Sequence, residues 1–487
     1  MHISSLPSPY GIGTFGRQAY EFVDFLAAAG QTCWQVLPLG PTSYGDSPYQ
    51  AFSSVAGNPY FIDPDSLVEE GLLLQDEPKE YFWGDNPERV DYGALYQSRF
   101  LLLRKAFDRF LSSEANRQQL DAFIQENNEW LPDFSLFMAI KNEQGGASWT
   151  QWPDGLRLRW NDTLDAARER LSDQIRFYEY QQFEFQRQWT SLKRYANDSG
   201  IAVIGDIPIY VPLDSVDVWA SPYQFQLDEN RRPTGVAGVP PDYFTADGQL
   251  WGNPLYNWEI MKEDGYGWWM NRLRHAAKLY DVIRIDHFRG ISSYWSVPPE
   301  EKTARNGRWV PGPGMDLIHR IQTVFPDLLI IAEDLGFLTD DVLNLVRESG
   351  FPGMKILQFA FDDREPSDYL PHTYPKNCIC YTGTHDNTTI AAWFHEASDS
   401  NVQMAIRYLG LNREEGYCWG MIRGGMSSVA DLFLCQMQDL LGLGAESRMN
   451  TPGLLGNGNW QWRMLPGSLT EELSARLHEM ARIYGRL

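Results

Sequence analysis

The sequence is short of positive charge, of cysteine and of long apolar runs, and each shortage removes a class of function. Lysine and arginine number 41 against 64 aspartates and glutamates, a formal net charge of −23. Such an acidic excess repels phosphate backbones and anionic headgroups, so neither nucleic acid nor a membrane surface is expected as a partner. No run of about 18 apolar residues occurs, and no basic segment leads into a hydrophobic one at the start, so no spanning or export segment is read. Five cysteines, Cys33, Cys378, Cys380, Cys418 and Cys435, are too sparse and an odd number for a disulfide framework, which points to a reducing compartment.

Several catalytic signatures are missing as well. There is no H-E-x-x-H pattern, no G-x-S-x-G elbow and no Walker A loop, which weakens zinc proteases, α/β-hydrolases and P-loop enzymes. Cys378-Ile379-Cys380 sets two thiols on one side of a strand without a second pair at zinc-site spacing, and reads as core. Gly11-Ile12-Gly13-Thr14-Phe15-Gly16 matches a dinucleotide fingerprint, but Pro7 and Pro9 break the strand that must precede one, so a tight loop into a helix is the better reading. No metal and no organic cofactor is implied.

What the chain has in excess is aromatic: 18 Trp, 24 Tyr and 25 Phe, more than a core requires, so some should face a ligand. It also alternates short β-rich apolar runs with stretches of helical period. The strand candidates are Ile3–Ser5, Cys33–Leu37, Ala202–Ile209, Val282–Asp286, Leu329–Glu333, Lys355–Phe361 and Cys378–Tyr381, with a weak last run near Arg448. Helices are expected over Ala19–Ala29, Ser172–Tyr195, Trp268–Leu279, Met315–Val324, Thr339–Glu348 and Val429–Leu441, with Gly30 and Gly350 placed as C-caps. About eight apolar strands separated by helices close as a (β/α)8 TIM barrel, the alternative being an open doubly wound sheet. The expected organisation is one catalytic domain over 1–487. A large, mainly helical insertion occupies roughly 60–200 between the second and third predicted strands, and smaller insertions lie near 212–265 and 290–312. No C-terminal β-sandwich is read.

Three acids stand at predicted strand ends: Asp286 after Val282-Ile283-Arg284-Ile285, Glu333 after Leu329-Ile330-Ile331-Ala332, and Asp386 after Cys380-Tyr381-Thr382-Gly383-Thr384-His385. In a barrel these ends share one mouth. Strand alternation puts Arg284 and Asp286 on one face, so the guanidinium should hold Asp286 ionised, whereas Glu333, after a purely apolar strand, should have its pKa raised. Taken alone, Asp286 or Glu333 reads better as a helix N-cap in a βα loop. Together, with aromatics to cover the flat faces of sugar rings, they point to glycosidic chemistry. Trp251 and Tyr49 are read in Gly/Pro-punctuated loops, either as sugar platforms or as buried loop anchors.

Ser4-Ser5-Leu6-Pro7-Ser8-Pro9-Tyr10-Gly11-Ile12-Gly13, Trp34-Gln35-Val36-Leu37-Pro38-Leu39-Gly40-Pro41-Thr42, Gly205-Asp206-Ile207-Pro208-Ile209-Tyr210-Val211, Arg284-Ile285-Asp286-His287-Phe288-Arg289-Gly290, Ala332-Glu333-Asp334-Leu335-Gly336 and Thr384-His385-Asp386-Asn387 follow in order. Over nearly its whole length the chain resembles the amylomaltases, the 4-α-glucanotransferases or disproportionating enzymes. The resemblance implies Asp286 as the nucleophile that becomes glucosylated, Glu333 as general acid and then base, and Asp386 as the third carboxylate, on sugar hydroxyls. It implies that Arg284, His385 and Asp206 line the subsite holding the glycosyl unit, that Tyr49 and Trp251 contact glucan, and that Asn459 comes from a loop over the cleft. Tyr44 and Tyr96 would form a second glucan site outside it. In the family the His-x-Ser-Ser-Leu-Pro stretch is preceded by most of the first barrel strand, and Met1-His2 begins inside it.

The partners so implied are α-1,4-glucans and maltooligosaccharides, as donor and acceptor, acted on by a monomer or homodimer. The expected location is the cytoplasm, or the plastid stroma after removal of a transit peptide. The same carboxylates would serve a hydrolase, and a non-catalytic glucan-binding protein would keep the aromatics. The resemblance favours transfer, with cyclic glucans when donor and acceptor share a chain.

Overall fold

The computed structural model describes residues 1–241, 246–336, 338–362 and 367–487. Among them are eleven strands: β1 (Cys33–Gln35), β2 (Ala202–Pro208), β3 (Val236–Val239), β4 (Gln249–Pro254), β5 (Val282–Asp286), β6 (Ser293–Val297), β7 (Arg308–Pro311), β8 (Leu329–Ala332), β9 (Gly353–Ile356), β10 (Cys378–Tyr381) and β11 (Leu432–Leu434). Seven of them are parallel, in two ladders ordered β1-β2-β5-β8 and β9-β10-β11. A backbone hydrogen bond from Ala332 to Pro352, 2.9 Å, carries β8 on to the start of β9. Cys33, Ile204, Val282, Ile331, Met354, Ile379 and Leu432, one from each of the seven, pack into a single cluster, so the two ladders face a common interior. Tyr381 on β10 donates to Gln35 on β1 across that interior, at 3.0 Å.

Helices cover the outer faces because the sequence caps and stripes them for it. Arg17–Ala28 buries Phe22, Val23 and Phe25, and Asp340–Ser349 buries Val342 and Leu345. Gly30 and Gly350 follow these two helices in the left-handed region, at φ +65° and +70°, which a side chain would disfavour. Between β1 and β2 the chain is mainly helical, ending in the 27-residue helix Ser172–Asp198. That helix buries Phe177, Phe185 and Trp189, worth roughly 1.5–3 kcal/mol for each large side chain. Trp189 packs on Phe15 and donates to the Leu279 carbonyl, tying the helix to the parallel strands' helical cover. A separate antiparallel sheet, β4-β3-β6-β7, meets the residues that follow β2 and β5 through Trp251, whose ring packs on Tyr210 and His287. No helix of the described residues is long and apolar enough to cross a membrane.

Several sequence expectations need correction. Ile3–Ser5 is a 3-10 turn, not a strand; Met1 and His2 lie beside β1, where the terminal amine donates to the Gln35 carbonyl and His2 Nδ1 accepts from Leu37 N–H. The expected helix over 429–441 is instead β11 followed by the short helix Met437–Leu440, since Leu432-Phe433-Leu434 finds a parallel partner in β10. The strand placed at 355–361 starts earlier, at Gly353, and turns into a 3-10 helix at Leu357. The run near Arg448 follows a 3-10 turn, Ala445–Ser447, and pairs with no strand.

Candidate active site

The parallel register sets Asp206 and Arg284 at one level, with Asp286 two residues further towards the strand ends. Asp206 pairs in register with Arg284 on neighbouring strands, and Pro208 with Asp286. Because side chains alternate, Arg284 and Asp286 share a face, and that face is the interior. Arg284 Nη1 donates to Asp206 Oδ2 at 2.6 Å and lies 3.0 Å from Asp286 Oδ1. Its Nε meets the sulfur of Met354 at 3.4 Å. Arg284 and Asp206 are buried, so this is a low-dielectric cation between two carboxylates.

Glu333 follows β8 and is held by main-chain donors. His287 N–H reaches Oε2 at 2.7 Å and Leu335 N–H reaches Oε1 at 2.9 Å. His287 sits at φ +53°, an uncommon place for a residue with a Cβ, and this left-handed turn directly after Asp286 aims its N–H at the carboxylate. A backbone bond from Glu333 to Ile285, 3.1 Å, keeps the two strand ends together.

The electrostatics separate the pair. Glu333 is pushed up to about 8, first by burial and then by the neighbouring Asp286 charge, against Arg284 and its two backbone donors. Asp286 is raised only to about 6, because Arg284 opposes the effect of burial. These opposed effects favour an ionised Asp286, beside the guanidinium, and a protonated Glu333 near neutral pH. Arg284 acts in the expected direction on Asp286 but does not cancel the effect of burial, having Asp206 to satisfy as well.

The third carboxylate is placed by loops. Asp386 Oδ1 accepts from Asn450 Nδ2 at 2.6 Å and lies 3.3 Å from His385 Nε2, while Arg448 donates to the Asp386 carbonyl. The Asn450 N–H in turn donates to the His385 carbonyl at 3.0 Å. Tyr49 donates to Asp206 Oδ2 at 2.7 Å and stacks on the His385 ring, centroids 5.0 Å apart. Trp460 closes that aromatic corner, 5.8 Å from both rings.

A cleft of about 630 Å³ opens above these groups, its lining including Asp286, Asp386, His385, Tyr49, Trp251 and Trp460. Trp251 is on β4, not in a loop as read from the sequence, and its ring meets His287 edge-on at 4.7 Å. Tyr44, 86% exposed, stands at the cleft mouth, where Leu455 of the 452–456 loop leans on Gly45. Asn459 is not in the lining. Its amide is engaged within its own loop, accepting from Thr451 N–H and donating to the Thr451 and Leu454 carbonyls. Tyr96 is on the helix Tyr92–Phe110, exposed, edge-on to Phe100 and outside the cleft.

Asn450, Arg448 and His287 were not found by sequence reasoning as site residues. His287 could have been, since a polar residue next to a strand-end acid has only its backbone to offer if the ring is buried. Asn450 and Arg448 carry no local signal; they reach Asp386 through a tertiary contact 64 and 62 positions away in sequence.

Comparison with known proteins gives one answer. The 4-alpha-glucanotransferase family model matches residues 1–470. A 4-alpha-glucanotransferase of Clostridium butyricum is 49% identical, with 100% of both chains covered, and one of Streptococcus pneumoniae is 48% identical, covering 100% of this chain and 96% of that protein. The solved structure of an amylomaltase from Streptococcus agalactiae in complex with acarbose superposes with a TM-score of 0.98 at 45% identity, covering 100% of this chain and 98% of that one. The chain belongs to the 4-alpha-glucanotransferase family.

Proposed function

We propose that this site moves α-1,4-glucan segments between maltooligosaccharide or starch chains by a retaining double displacement. The observation that carries the reading is the pair of carboxylates at neighbouring strand ends, Glu333 buried on two main-chain N–H donors and Asp286 beside the Arg284 guanidinium and open to the cleft, a setting that pushes their pKa values apart. Protonated Glu333 delivers its proton to the departing glycosidic oxygen as ionised Asp286 attacks the anomeric carbon, giving a glucosyl ester on Asp286. Glu333, now a carboxylate, takes the proton from the 4-hydroxyl of an incoming glucan as that oxygen displaces Asp286. Transfer within one chain gives a cyclic glucan.

Asp386 binds sugar hydroxyls with the oxygen that Asn450 leaves free. Arg284, Asp206 and His385 hold the glycosyl unit, and Tyr49 and Trp251 cover sugar faces. Asn459 shapes the loop over the cleft, and Tyr44 with Tyr96 offers glucan a second surface. Acarbose in the S. agalactiae relative supports an oligosaccharide ligand. The two parallel ladders are read as one (β/α)8 barrel domain over 1–487, with the helical insertion at roughly 60–200 and smaller ones near 212–265 and 290–312. The cytoplasm is the assigned location.

Incubation with maltotriose tests the reading. A ladder of longer and shorter products, with glucose released and little gain in reducing ends, is expected. Shorter products with rising reducing ends would make the protein a hydrolase, and no change would leave a glucan-binding protein.

A further inference from the structure

The loop from Thr382 to Ile390 carries both His385 and Asp386, and its two ends meet one buried carboxylate that has no part in the chemistry above. Asp439, on the helix Met437–Leu440 after β11, is fully buried. The Thr382 hydroxyl donates to its Oδ2 at 2.7 Å, and the Ile390 N–H donates to its Oδ1 at 2.7 Å. Thr382 directly follows β10, and Ile390 opens the helix Ile390–Glu396. The carboxylate thus spans the loop from its first residue to its last.

Other contacts hold parts of the same loop, each over a shorter reach. Gln358 donates to the Thr388 carbonyl at 2.9 Å, and Asn387 Oδ1 accepts from Thr384 N–H at 2.8 Å. No cation is paired with Asp439 among the described residues, and burial raises its pKa to about 6 against the two hydrogen bonds. An unpaired buried carboxylate is costly, and an apolar residue of the same size would pack there more cheaply. The acid does one thing such a residue cannot: it accepts from both ends of the loop.

We propose that Asp439 is a positioning residue for glucan transfer, clamping the 382–390 loop so that Asp386 and His385 stand against the strand-borne Asp286 and Glu333. This rests on the function proposed above. It acts through Asp386, so its loss should slow the chemical step while leaving ground-state binding nearly intact. A shift of about 1 Å in a reacting group can lower the rate by about 100-fold.

The test measures kcat and KM for disproportionation of maltotriose by Asp439→Leu, Asp439→Asn and Thr382→Val, with a thermal melt for each. Asp439→Leu is expected to lose about 100-fold in kcat with KM within about 3-fold. Asp439→Asn keeps an acceptor for Ile390 and can donate to the Thr382 hydroxyl, so it should recover most of that loss. Thr382→Val removes one of the two bonds and should fall between them, which also serves if the leucine variant fails to fold. In an Asp386→Asn background, Asp439→Leu should add less than about 2-fold, since residues acting as a unit are not additive. A folded Asp439→Leu or Thr382→Val with unchanged kcat would overturn the proposal, as would an undiminished loss in the Asp386→Asn background. An inactive wild type would instead sink the functional reading, and this inference with it.

Discussion

The two halves of the site are built by different means. Asp206, Arg284, Asp286 and Glu333 stand on or directly after adjacent parallel strands, fixed by register and by one buried guanidinium. Asp386 and His385 stand on a loop that Asn450, Arg448 and Asp439 hold from outside. The difference follows the demands on each group. On the proposed mechanism, nucleophile and acid need shifted pKa values, which burial and a fixed charge supply, and strands hold such geometry to a fraction of an ångström. A group proposed to grip sugar hydroxyls must meet substrate at an open cleft, and Asp386 keeps 45% of its side chain exposed.

The comparison breaks first at Asp286. Asp286→Asn removes the proposed attacking oxygen and should abolish the maltotriose ladder, a loss of at least about 10⁴-fold in kcat/KM. A retained ladder would mean that the strand-borne half is not the reacting half.

The pH profile sharpens the division of labour between the strand-borne acids. Asp286 must be ionised and Glu333 protonated, so kcat/KM should rise as pH passes about 6 and fall as it passes about 8. Glu333→Gln should cost about 10²–10⁴-fold and erase the descending limb for a donor that still needs an acid. A descending limb unchanged in that variant would assign the upper pKa elsewhere.

Stability separates the halves in the opposite sense to exposure. Arg284→Met strands two carboxylates around a vanished cation and should destabilise the fold by roughly 3–5 kcal/mol. Asn450→Ala should leave the melting temperature nearly unchanged while lowering kcat. Equal losses of stability in denaturant titrations would erase the distinction drawn here. The smallest effect is expected at the cleft wall: Trp251→Ala should raise KM for maltooligosaccharides by about 10-fold, the equivalent of roughly 1.4 kcal/mol of lost ring contact, with kcat little changed.

How much of this could be read from the sequence divides along the same line. Val282–Asp286 and Cys378–Tyr381 are strands over the residues read as such, because apolar alternation and a buried sheet leave one reading. The acids that end such strands were legible for the same reason. β11 was not, since Leu432-Phe433-Leu434 sits in an apolar stretch that helix and strand fit equally until β10 pairs with it. The antiparallel sheet was missed too: a bulge between β3 and β4 breaks its register, and Trp251 looked like a loop residue. Asn450, Arg448 and Asp439 lie far along the chain from Asp386, and only the folded loops bring the first two to it and Asp439 to the ends of its loop.

The most direct test is to look for the covalent intermediate. Glu333→Gln supplied with maltotriosyl fluoride, whose leaving group needs no proton, should form the glycosyl-enzyme and release it slowly for want of a base. Mass spectrometry of the acid-quenched protein is expected to find a maltotriosyl mass on the peptide containing Asp286. The same mass on the peptide of Asp386, or fluoride release with no adduct at all, would contradict the account.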